Sequence, residues 1–482
     1  MMKVFSTMRA RCAVAVFGVT LLAADAGAMI KDLTLWRGET AAARLEGCFE
    51  LGTAPEALEV RVGSLELVRY APAPQSLQRL EIYDRVVWDG GKGPERVIEV
   101  RVPADAKPGV YSWGDVRITV LDRVLPPPRE WAYYLDLWQH PWATARVAGV
   151  KPFSKEHYAA MKPVYELLAS AGQKTITVPI LDRPWNHQCR DAYHSLVDDP
   201  DFRTFDEYVE FCTACGLGPD ISCYSLCPWS LEVAPGTPEF EARWRPFMER
   251  FVRHLREKGW YERTMMSMDE REPEQVKAVV EFVRSVAPGM RVAMAGNRRP
   301  SEFEGIEIEN YCQILNHVDE AFLAEVAARR AKGFVTTFYV CCAPKHPNTF
   351  MSSGDGEAFW LGAYPAASGF DGFLRWAWNS WPQDPCADAS FGWWSAGDTF
   401  LCYPHGEPSW RFLELRNGIV TAEKIRLLAK DPSFGPRLDE FRKLFSVPEA
   451  VAGTSDFAGI RAAALKLVNA SDGKYTGRQV WR

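Results

Sequence analysis

The sequence predicts an α/β protein in which a TIM-type (β/α)8 barrel follows an antiparallel β-sandwich domain. Apolar and polar residues alternate with period two early in the chain, and strand-like and helix-like stretches alternate after residue 128. The length of 482 residues exceeds one ordinary domain and allows a large core. We divide the chain into a signal peptide (1–28), a β-sandwich (29–125), a catalytic barrel (129–430) and a helical C-terminal appendage (431–482).

The first 28 residues have the pattern of an export signal. Lys3, Arg9 and Arg11 precede an apolar run over residues 12–24, which is too short for a stable transmembrane helix. The small residues at 26–28 fit a cleavage site. We expect a secreted or periplasmic protein, and no other stretch is long and apolar enough to predict a membrane span.

The sandwich prediction depends on short alternating stretches. Residues 58–62, 98–102 and 116–120 alternate apolar with polar side chains, and turn-forming residues such as Gly90 and Gly91 lie between them. We find no catalytic constellation in this region. The proline-rich residues 125–128 form a stiff linker to the barrel.

Eight candidate strands follow the linker. They are residues 131–138, 174–180, 220–226, 265–270, 291–297, 311–315, 334–342 and 372–381. Helix-like stretches separate most of them, and the clearest repeats valine at helical spacing over residues 276–286. Eight such units fit a barrel. A doubly wound open sheet is the alternative, but it calls for a glycine-rich phosphate loop, and we find none.

The charge and the cysteines of the sequence limit the kinds of partner and cofactor that we expect. The net charge is −6 and there is no basic run, so we do not expect a nucleic-acid partner. Four cysteines have a zinc-like spacing: Cys212, Cys215, Cys223 and Cys227. They lie in helix and strand patterns, so we interpret them, like the adjacent Cys341 and Cys342, as packing residues, with a zinc site or a disulfide as the alternative. We predict no metal and no cofactor; the oligomeric state stays open.

The active site of a barrel lies at the carboxyl ends of its strands. The side chains predicted there are rich in aromatic and hydrogen-bonding groups and poor in cations. Strand-end position alone selects five candidate substrate-binding residues, namely Trp138, His140, Arg183, Asn297 and Asn379. This chemistry suits a neutral, polyhydroxylated ligand such as a glycan better than a phosphate or a metal.

The fourth candidate strand ends in two adjacent acids, Asp269 and Glu270. Conventional glycosidases place two carboxyl groups on opposite sides of the bond, about 5–5.5 or 6.5–9.5 Å apart. Neighbours on a strand point to opposite faces, so only a turn at the strand end brings both into one pocket. Such a pair fits another scheme, in which one acid protonates the leaving oxygen and the other orients a 2-acetamido group that attacks the anomeric carbon. Alternatively, the pair only caps the following helix.

Four blocks of sequence resemble glycoside hydrolase family 123. They are residues 265–273 (MMSMDEREP), 372–382 (GFLRWAWNSWP), 396–404 (AGDTFLCYP) and 411–418 (RFLELRNG). The resemblance extends from the region of Trp36 to about residue 430. It implies an N-terminal β-sandwich, a catalytic (β/α)8 barrel and the activity of a β-N-acetylgalactosaminidase.

The resemblance also implies roles for individual residues. Glu270 matches the acid/base, and Asp269 matches the acid that polarises the acetamido nitrogen and stabilises an oxazoline-like intermediate. Tyr339 is placed to hydrogen-bond the acetamido carbonyl, and Trp376 and Trp378, two apart on a strand, are placed to line the sugar pocket. The expected function is that of a secreted glycoside hydrolase that cleaves terminal β-linked N-acetylhexosamine, above all N-acetylgalactosamine, with retention of configuration.

Three rival functions remain open. The first is a glycosidase of other sugar specificity with a conventional carboxylate pair, the second acid being a residue such as Glu309. The second is a non-catalytic carbohydrate-binding protein of the same fold. A zinc hydrolase has least support, because the strand ends lack a set of two histidines and a carboxylate.

Overall fold

A computed structural model describes residues 32–45, 49–183, 194–303 and 305–470. The predicted signal peptide lies outside these residues.

The described residues of the N-terminal domain form a sandwich of seven strands. They are β1 (Asp32–Arg37), β2 (Thr40–Leu45), β3 (Glu59–Tyr70), β4 (Leu80–Val87), β5 (Arg96–Arg101), β6 (Gly109–Trp113) and β7 (Val116–Val124). One sheet has the order β2-β5-β3-β4 and the other β1-β7-β6. Ile98, Val100 and Ile118 are fully buried in the core between them, as the alternation predicts. One pair departs from the prediction, because β1 runs parallel to β7. No short hairpin joins these two strands, so nothing forces them to be antiparallel.

The second domain confirms the TIM-type (β/α)8 barrel. Its strands are β8 (Tyr134–Leu137), β9 (Thr175–Pro179), β10 (Asp220–Tyr224), β11 (Thr264–Asp269), β12 (Arg291–Gly296), β13 (Asn310–Ile314), β14 (Val335–Tyr339) and β15 (Gly372–Arg375). Neighbouring strands pair in parallel in the order β8-β15-β14-β13-β12-β11-β10-β9. The two end strands meet where Lys174 N donates to Leu135 O at 2.9 Å. A doubly wound open sheet is thereby excluded.

The eighth strand is shorter than predicted. It ends at Arg375, whereas the sequence pattern suggested residues 372–381. Beyond Arg375 the chain leaves the sheet, and Leu401 N donates to Trp378 O at 3.0 Å. The two tryptophans after this strand therefore do not share a strand face.

Eleven helices lie among the described residues. They are α1 (Pro141–Ala148), α2 (Lys155–Ala169), α3 (Arg203–Ala214), α4 (Pro238–Glu257), α5 (Pro273–Val286), α6 (Glu320–Ala331), α7 (Glu357–Ser368), α8 (Trp410–Leu428), α9 (Gly435–Lys443), α10 (Val447–Val451) and α11 (Phe457–Asn469). Between β12 and β13 the described residues form only a short 3-10 turn, Pro300–Glu302. A small hairpin, β16 (Cys402–Tyr403) and β17 (Glu407–Pro408), precedes α8.

Helix α8 is buried along most of its length and carries cations that pair with acids of the sandwich. Arg411 Nε lies 2.9 Å from Asp84 Oδ1, and Arg416 contacts Glu99. Lys424 pairs with Glu39 in the same way, and both side chains are almost fully buried. These ion pairs fix the sandwich against the barrel.

The described ranges contain neither a membrane-spanning helix nor a metal-binding cluster. No helix there has the length and apolar character to cross a membrane. No group of three or more histidine, cysteine and acidic side chains within these ranges is arranged to hold a metal ion. The four cysteines with zinc-like spacing are buried, as packing residues are.

Candidate active site

The two acids lie at the carboxyl end of β11, in the turn that leads to α5. Glu270 N still donates to Ala295 O of β12, at 2.8 Å. Glu270 then adopts a left-handed backbone conformation with φ of 47°, which non-glycine residues rarely do, and the chain turns. Both acids are half-buried. The helix cap lies further on, because Glu272 N donates to the side chain of Gln275 and Pro273 begins the helix. Capping therefore does not account for Asp269 and Glu270.

Glu270 is held by a tyrosine from the far side of the barrel mouth. Tyr339 Oη donates to Glu270 Oε1 at 2.5 Å. Tyr339 ends β14, and two strands separate β14 from β11, so this bond crosses the top of the barrel. Burial first, and then the negative charge of Glu270, raise the pKa of Tyr339 well above its usual value. The hydroxyl therefore stays protonated and acts as a donor at neutral pH.

Asp269 has a different partner. Trp229, which follows β10, donates its indole N–H to Asp269 Oδ2 at 3.0 Å. The Arg271 guanidinium lies over the Trp229 ring, 4.8 Å from its centroid, and Arg271 Nε donates to Asp269 O at 2.8 Å. The two neighbouring acids are therefore oriented by separate groups from opposite sides.

Trp376, the first residue after β15, is anchored by a buried ion pair. Its indole N–H donates to Asp398 Oδ1 at 3.0 Å, and its ring packs on Trp394 with centroids 4.8 Å apart. Arg375 Nη2 lies 2.8 Å from the same oxygen of Asp398, and both side chains of this pair are fully buried. Burial raises the pKa of Asp398, and the charge of Arg375 acts against that effect. The pair fixes the direction in which Trp376 points.

Three other predicted residues support the site from below. His140 Nε2 donates to Trp376 O at 2.9 Å, and Asn379 Oδ1 accepts from His140 N at 2.8 Å. Burial lowers the pKa of His140 to about 4, so the imidazole is neutral at physiological pH. Trp138 is buried against Tyr224, with ring centroids 4.7 Å apart. All three side chains are almost inaccessible, so we assign them supporting roles instead of the predicted substrate contact: His140 binds the backbone of Trp376, Asn379 holds His140, and Trp138 packs on Tyr224.

The family of the chain follows from its sequence as a whole. The model of the glycoside hydrolase 123 catalytic domain matches residues 138–428, more than half of the chain. The chain belongs to glycoside hydrolase family 123. This assignment confirms the resemblance read from the four blocks and makes the protein a glycosidase.

One solved structure agrees with this fold, and two more distant ones are given for comparison only. A family 123 glycoside hydrolase from Clostridium perfringens, described for glycolipid glycan hydrolysis, superposes with a TM-score of 0.78 at 20% identity, over 91% of this chain and 94% of that one. A GH10 xylanase with an Ig-like domain from termite gut gives 0.34 at 11% identity, over 83% and 100%. The GH53 catalytic domain from Ignisphaera aggregans gives 0.35 at 15%, over 61% and 97%. A search of curated proteins gave no match.

Two predicted residues of the family 123 enzyme are exposed beyond the carboxyl ends of β9 and β12. Arg183 is exposed and directly precedes residues 184–193, which are outside the described ranges. Asn297 is exposed and lines a polar cavity of about 270 Å³ together with Arg298 and His317. Arg298 also pairs with Glu272 at 2.6 Å, which joins this cavity to the turn after the acids.

Trp378 lies outside the candidate active site. It is fully buried and packs against Phe412 of α8, with ring centroids 4.8 Å apart. The predicted position in the sugar pocket assumed that β15 continued to Trp378, which it does not. We therefore remove Trp378 from the residues proposed to contact sugar.

Sequence reasoning missed four residues of this family 123 site, namely Trp229, Arg271, Trp394 and Asp398. Trp229 and Arg271 carried a usable signal, because they follow a strand end and the acid pair directly. Asp398 lies inside one of the family blocks, but its partners Arg375 and Trp376 are more than twenty positions away. Local pattern gives no indication of such a contact.

Proposed function

We propose that this family 123 enzyme is a secreted β-N-acetylhexosaminidase that removes terminal β-linked N-acetylgalactosamine by a retaining, substrate-assisted mechanism. The main support for the proposal is that the two adjacent acids accept hydrogen bonds from different side chains. Tyr339 holds Glu270, and Trp229 holds Asp269. Two acids held in one turn by different donors suit two different tasks better than a symmetric pair does.

The proposed reaction has two steps. Glu270, in its protonated form, gives its proton to the glycosidic oxygen, while Asp269 accepts a hydrogen bond from the acetamido N–H of the substrate. The acetamido carbonyl oxygen attacks the anomeric carbon, the leaving group departs, and an oxazoline ring forms that is still protonated at nitrogen, where its N–H stays hydrogen-bonded to the Asp269 carboxylate. Glu270, now a carboxylate, then takes a proton from the water that opens the oxazoline. Two inversions give net retention.

The chain's own groups favour this course. The Tyr339 hydroxyl fixes Glu270 Oε1, which leaves Oε2 as the oxygen available for proton transfer. The Trp229 indole N–H orients the Asp269 carboxylate through Oδ2, and we propose that this oriented carboxylate accepts the acetamido N–H. Trp376 supplies an aromatic wall against which the apolar face of a sugar can pack.

Glu309 is poorly placed to complete a conventional pair. It precedes β13 at the amino end of that strand, whereas Asp269 and Glu270 lie at the carboxyl end of β11. Its carboxylate already lies 3.1 Å from an Arg284 nitrogen and accepts from Val292 N at 2.9 Å. A mechanism that uses Glu309 as nucleophile has no support from this position.

The substrate class is also part of the proposal. The similar enzyme from Clostridium perfringens is described for the hydrolysis of glycolipid glycans. We propose that this chain likewise acts on glycans or glycoconjugates that end in β-N-acetylgalactosamine. We also propose that residues 1–28 direct export, which mass measurement of the mature amino terminus tests.

Turnover of aryl glycosides tests the mechanism. The wild type should hydrolyse an aryl β-N-acetylgalactosaminide faster than its gluco epimer, and much faster than the β-galactoside that lacks the acetamido group. Glu270→Gln and Asp269→Asn should each lose most of this activity, whereas Glu272→Gln, which changes the nearby capping acid, should keep it. Near-wild-type rates in either of the first two variants would contradict the assignment.

Two further measurements separate the rival functions. A thiazoline analogue of N-acetylgalactosamine should inhibit competitively, because it resembles the proposed intermediate. Equal cleavage of the galactoside and the acetamido sugar would favour a conventional glycosidase. Binding without turnover over a broad panel of glycans would favour a carbohydrate-binding role.

A further inference from the structure

The turn after β14 carries two adjacent cysteines that the proposed mechanism does not use. The Sγ atoms of Cys341 and Cys342 lie 3.8 Å apart. Cys342 is exposed and Cys341 is half-buried, whereas six of the other seven described cysteines are buried. The interpretation of this pair as packing residues is therefore wrong for Cys342, whose side chain is accessible to solvent.

The backbone around the pair is held firmly. Cys341 N donates to Ala343 O at 3.0 Å, which makes a tight turn. The Asn348 side-chain amide donates to Cys341 O at 3.0 Å, and Arg375 Nη1 donates to Val340 O at 3.1 Å. The two thiols therefore stay close to each other.

The two thiols differ chemically. The hydrogen bond from Cys341 lowers the pKa of Cys342 to about 7, against burial and the nearby charges of Asp398 and Glu270. The same hydrogen bond and burial raise the pKa of Cys341. A substantial share of Cys342 is thus thiolate at neutral pH, and the thiolate is the nucleophilic form of cysteine. Cys342 has the character of an attacking thiol, and Cys341 that of a resolving thiol.

We propose that Cys341 and Cys342 form a redox-modification site at the rim of the catalytic pocket, which closes to a reversible disulfide by exchange with a small-molecule disulfide. The Cys342 thiolate attacks the disulfide, forms a mixed disulfide and releases one thiolate. Cys341 then loses its proton and attacks Cys342 Sγ, which releases the second thiolate. Two protein thiols are oxidised and one external disulfide is reduced to two thiols.

Adjacency makes this disulfide easy to reduce. Neighbouring Cα atoms across a trans peptide are about 3.8 Å apart. Ordinary disulfides join Cα atoms about 4.4–6.8 Å apart, and departures from that geometry store strain. Strained or exposed disulfides have more oxidising potentials and are the labile ones. We therefore expect the bond to form only under oxidising conditions and to reopen with mild reductant.

The cysteine pair follows a residue that contacts a proposed catalytic acid, so its modification can affect that acid. Tyr339, whose hydroxyl holds Glu270, lies two residues before Cys341. Closing the disulfide would remove the negative charge of the Cys342 thiolate, which interacts with that of Glu270, and would tighten the turn that follows Tyr339. The chemical modification itself does not depend on the proposed sugar specificity.

Mass spectrometry of the whole protein after oxidation tests the proposal. The protein is incubated with oxidised glutathione, its remaining thiols are alkylated, and the tryptic peptide of residues 333–345 is analysed. We expect this peptide to be unalkylated and lighter by two hydrogen atoms, and to return to the doubly alkylated form after treatment with a phosphine reductant. Recovery of the doubly alkylated peptide without any reductant would overturn the proposal, and so would a stable glutathione adduct on the wild type.

Single variants assign the two roles. Cys341→Ser should accumulate glutathione on Cys342, because the resolving thiol is missing. Cys342→Ser should react much more slowly at Cys341. Cys386→Ser, at a half-buried cysteine outside the pair, should behave as wild type. Equal reaction of the first two variants would overturn the assignment of roles, and this readout is independent of whether the enzyme turns over any glycoside.

Discussion

Replacement of Tyr339 by phenylalanine is the sharpest test of how the acids are supported. The change deletes one hydroxyl and leaves the ring, which is 4% exposed and packed at the end of β14. It removes the 2.5 Å bond to Glu270 Oε1. Because the site of the hydroxyl is almost closed to solvent, water replaces it poorly, so Glu270 loses a donor and its fixed direction.

The size of the effect follows from the kind of bond that is lost. Hydrogen bonds to charged groups contribute about 1.5–3 kcal/mol. If that stabilisation is expressed in the transition state, kcat/KM falls about 10- to 150-fold. A bond of equal strength in the free enzyme and in the transition state would instead leave kcat/KM nearly unchanged on deletion.

The assay is initial-rate hydrolysis of an aryl β-N-acetylgalactosaminide, with Tyr261→Phe as the matched control. Tyr261 also donates a mostly buried hydroxyl, to Pro288 O at 2.9 Å, but it precedes β11 at the amino end of the barrel. The control should lose some stability and keep its kcat/KM. A Tyr339→Phe enzyme with wild-type kcat/KM would refute the role of this hydroxyl, and equal losses in both variants would indicate a general effect on folding.

Three further predictions concern the supports of the site. Trp229→Phe removes the hydrogen-bond donor to Asp269 but keeps an aromatic ring under Arg271. Because Trp229 is 40% exposed, water partly replaces the lost donor. In the same assay kcat/KM should therefore fall only about 3- to 10-fold. Burial depresses the pKa of His140 to about 4, so between about pH 6.5 and that value only the unfolded chain binds this proton, and the folded state loses stability as the pH falls. His140→Gln lacks this proton. Urea denaturation should therefore show that, from about pH 7.5 to about pH 5, the variant loses about 2 kcal/mol less unfolding free energy than the wild type. Asp398→Asn leaves the Arg375 charge buried without its counter-ion and should cost about 3–5 kcal/mol of unfolding free energy, whereas disruption of the exposed Lys277–Glu281 pair should cost less than about 1 kcal/mol.

The barrel was predictable because its signal is repeated. Each parallel strand is buried on both faces and reads as a short apolar run, and eight such runs can be counted without knowing any contact. The end of a strand is less visible. The residues after Arg375 alternate as a strand would, yet β15 ends there: Trp378 N makes one more bond, to Trp138 O, and Asn379 then pairs with Phe400.

The acids were predictable for a similar reason, and their partners were not. Strand-end position picked out Asp269 and Glu270 without any contact information. Trp229 and Asp398 lie on loops, and loop conformation depends on packing between segments that are far apart in sequence. The exposure of Cys342 has the same origin, since adjacent cysteines look identical in sequence whether they are buried or accessible.

The ion pairs of helix α8 determine whether the barrel can be expressed without the sandwich. Each of its three pairs with the sandwich places a cation in a nearly closed environment whose counter-ion belongs to the other domain: Asp84, Glu99 and Glu39. Removal of one partner of a buried pair costs about 3–5 kcal/mol, and the net stability of a domain is only about 5–15 kcal/mol. A barrel expressed without its sandwich would therefore lose most or all of its margin against unfolding. The family model marks an evolutionary domain, but we expect the sandwich and the barrel to unfold as one cooperative unit. Engineered versions of this enzyme should therefore keep residues 32–125 attached.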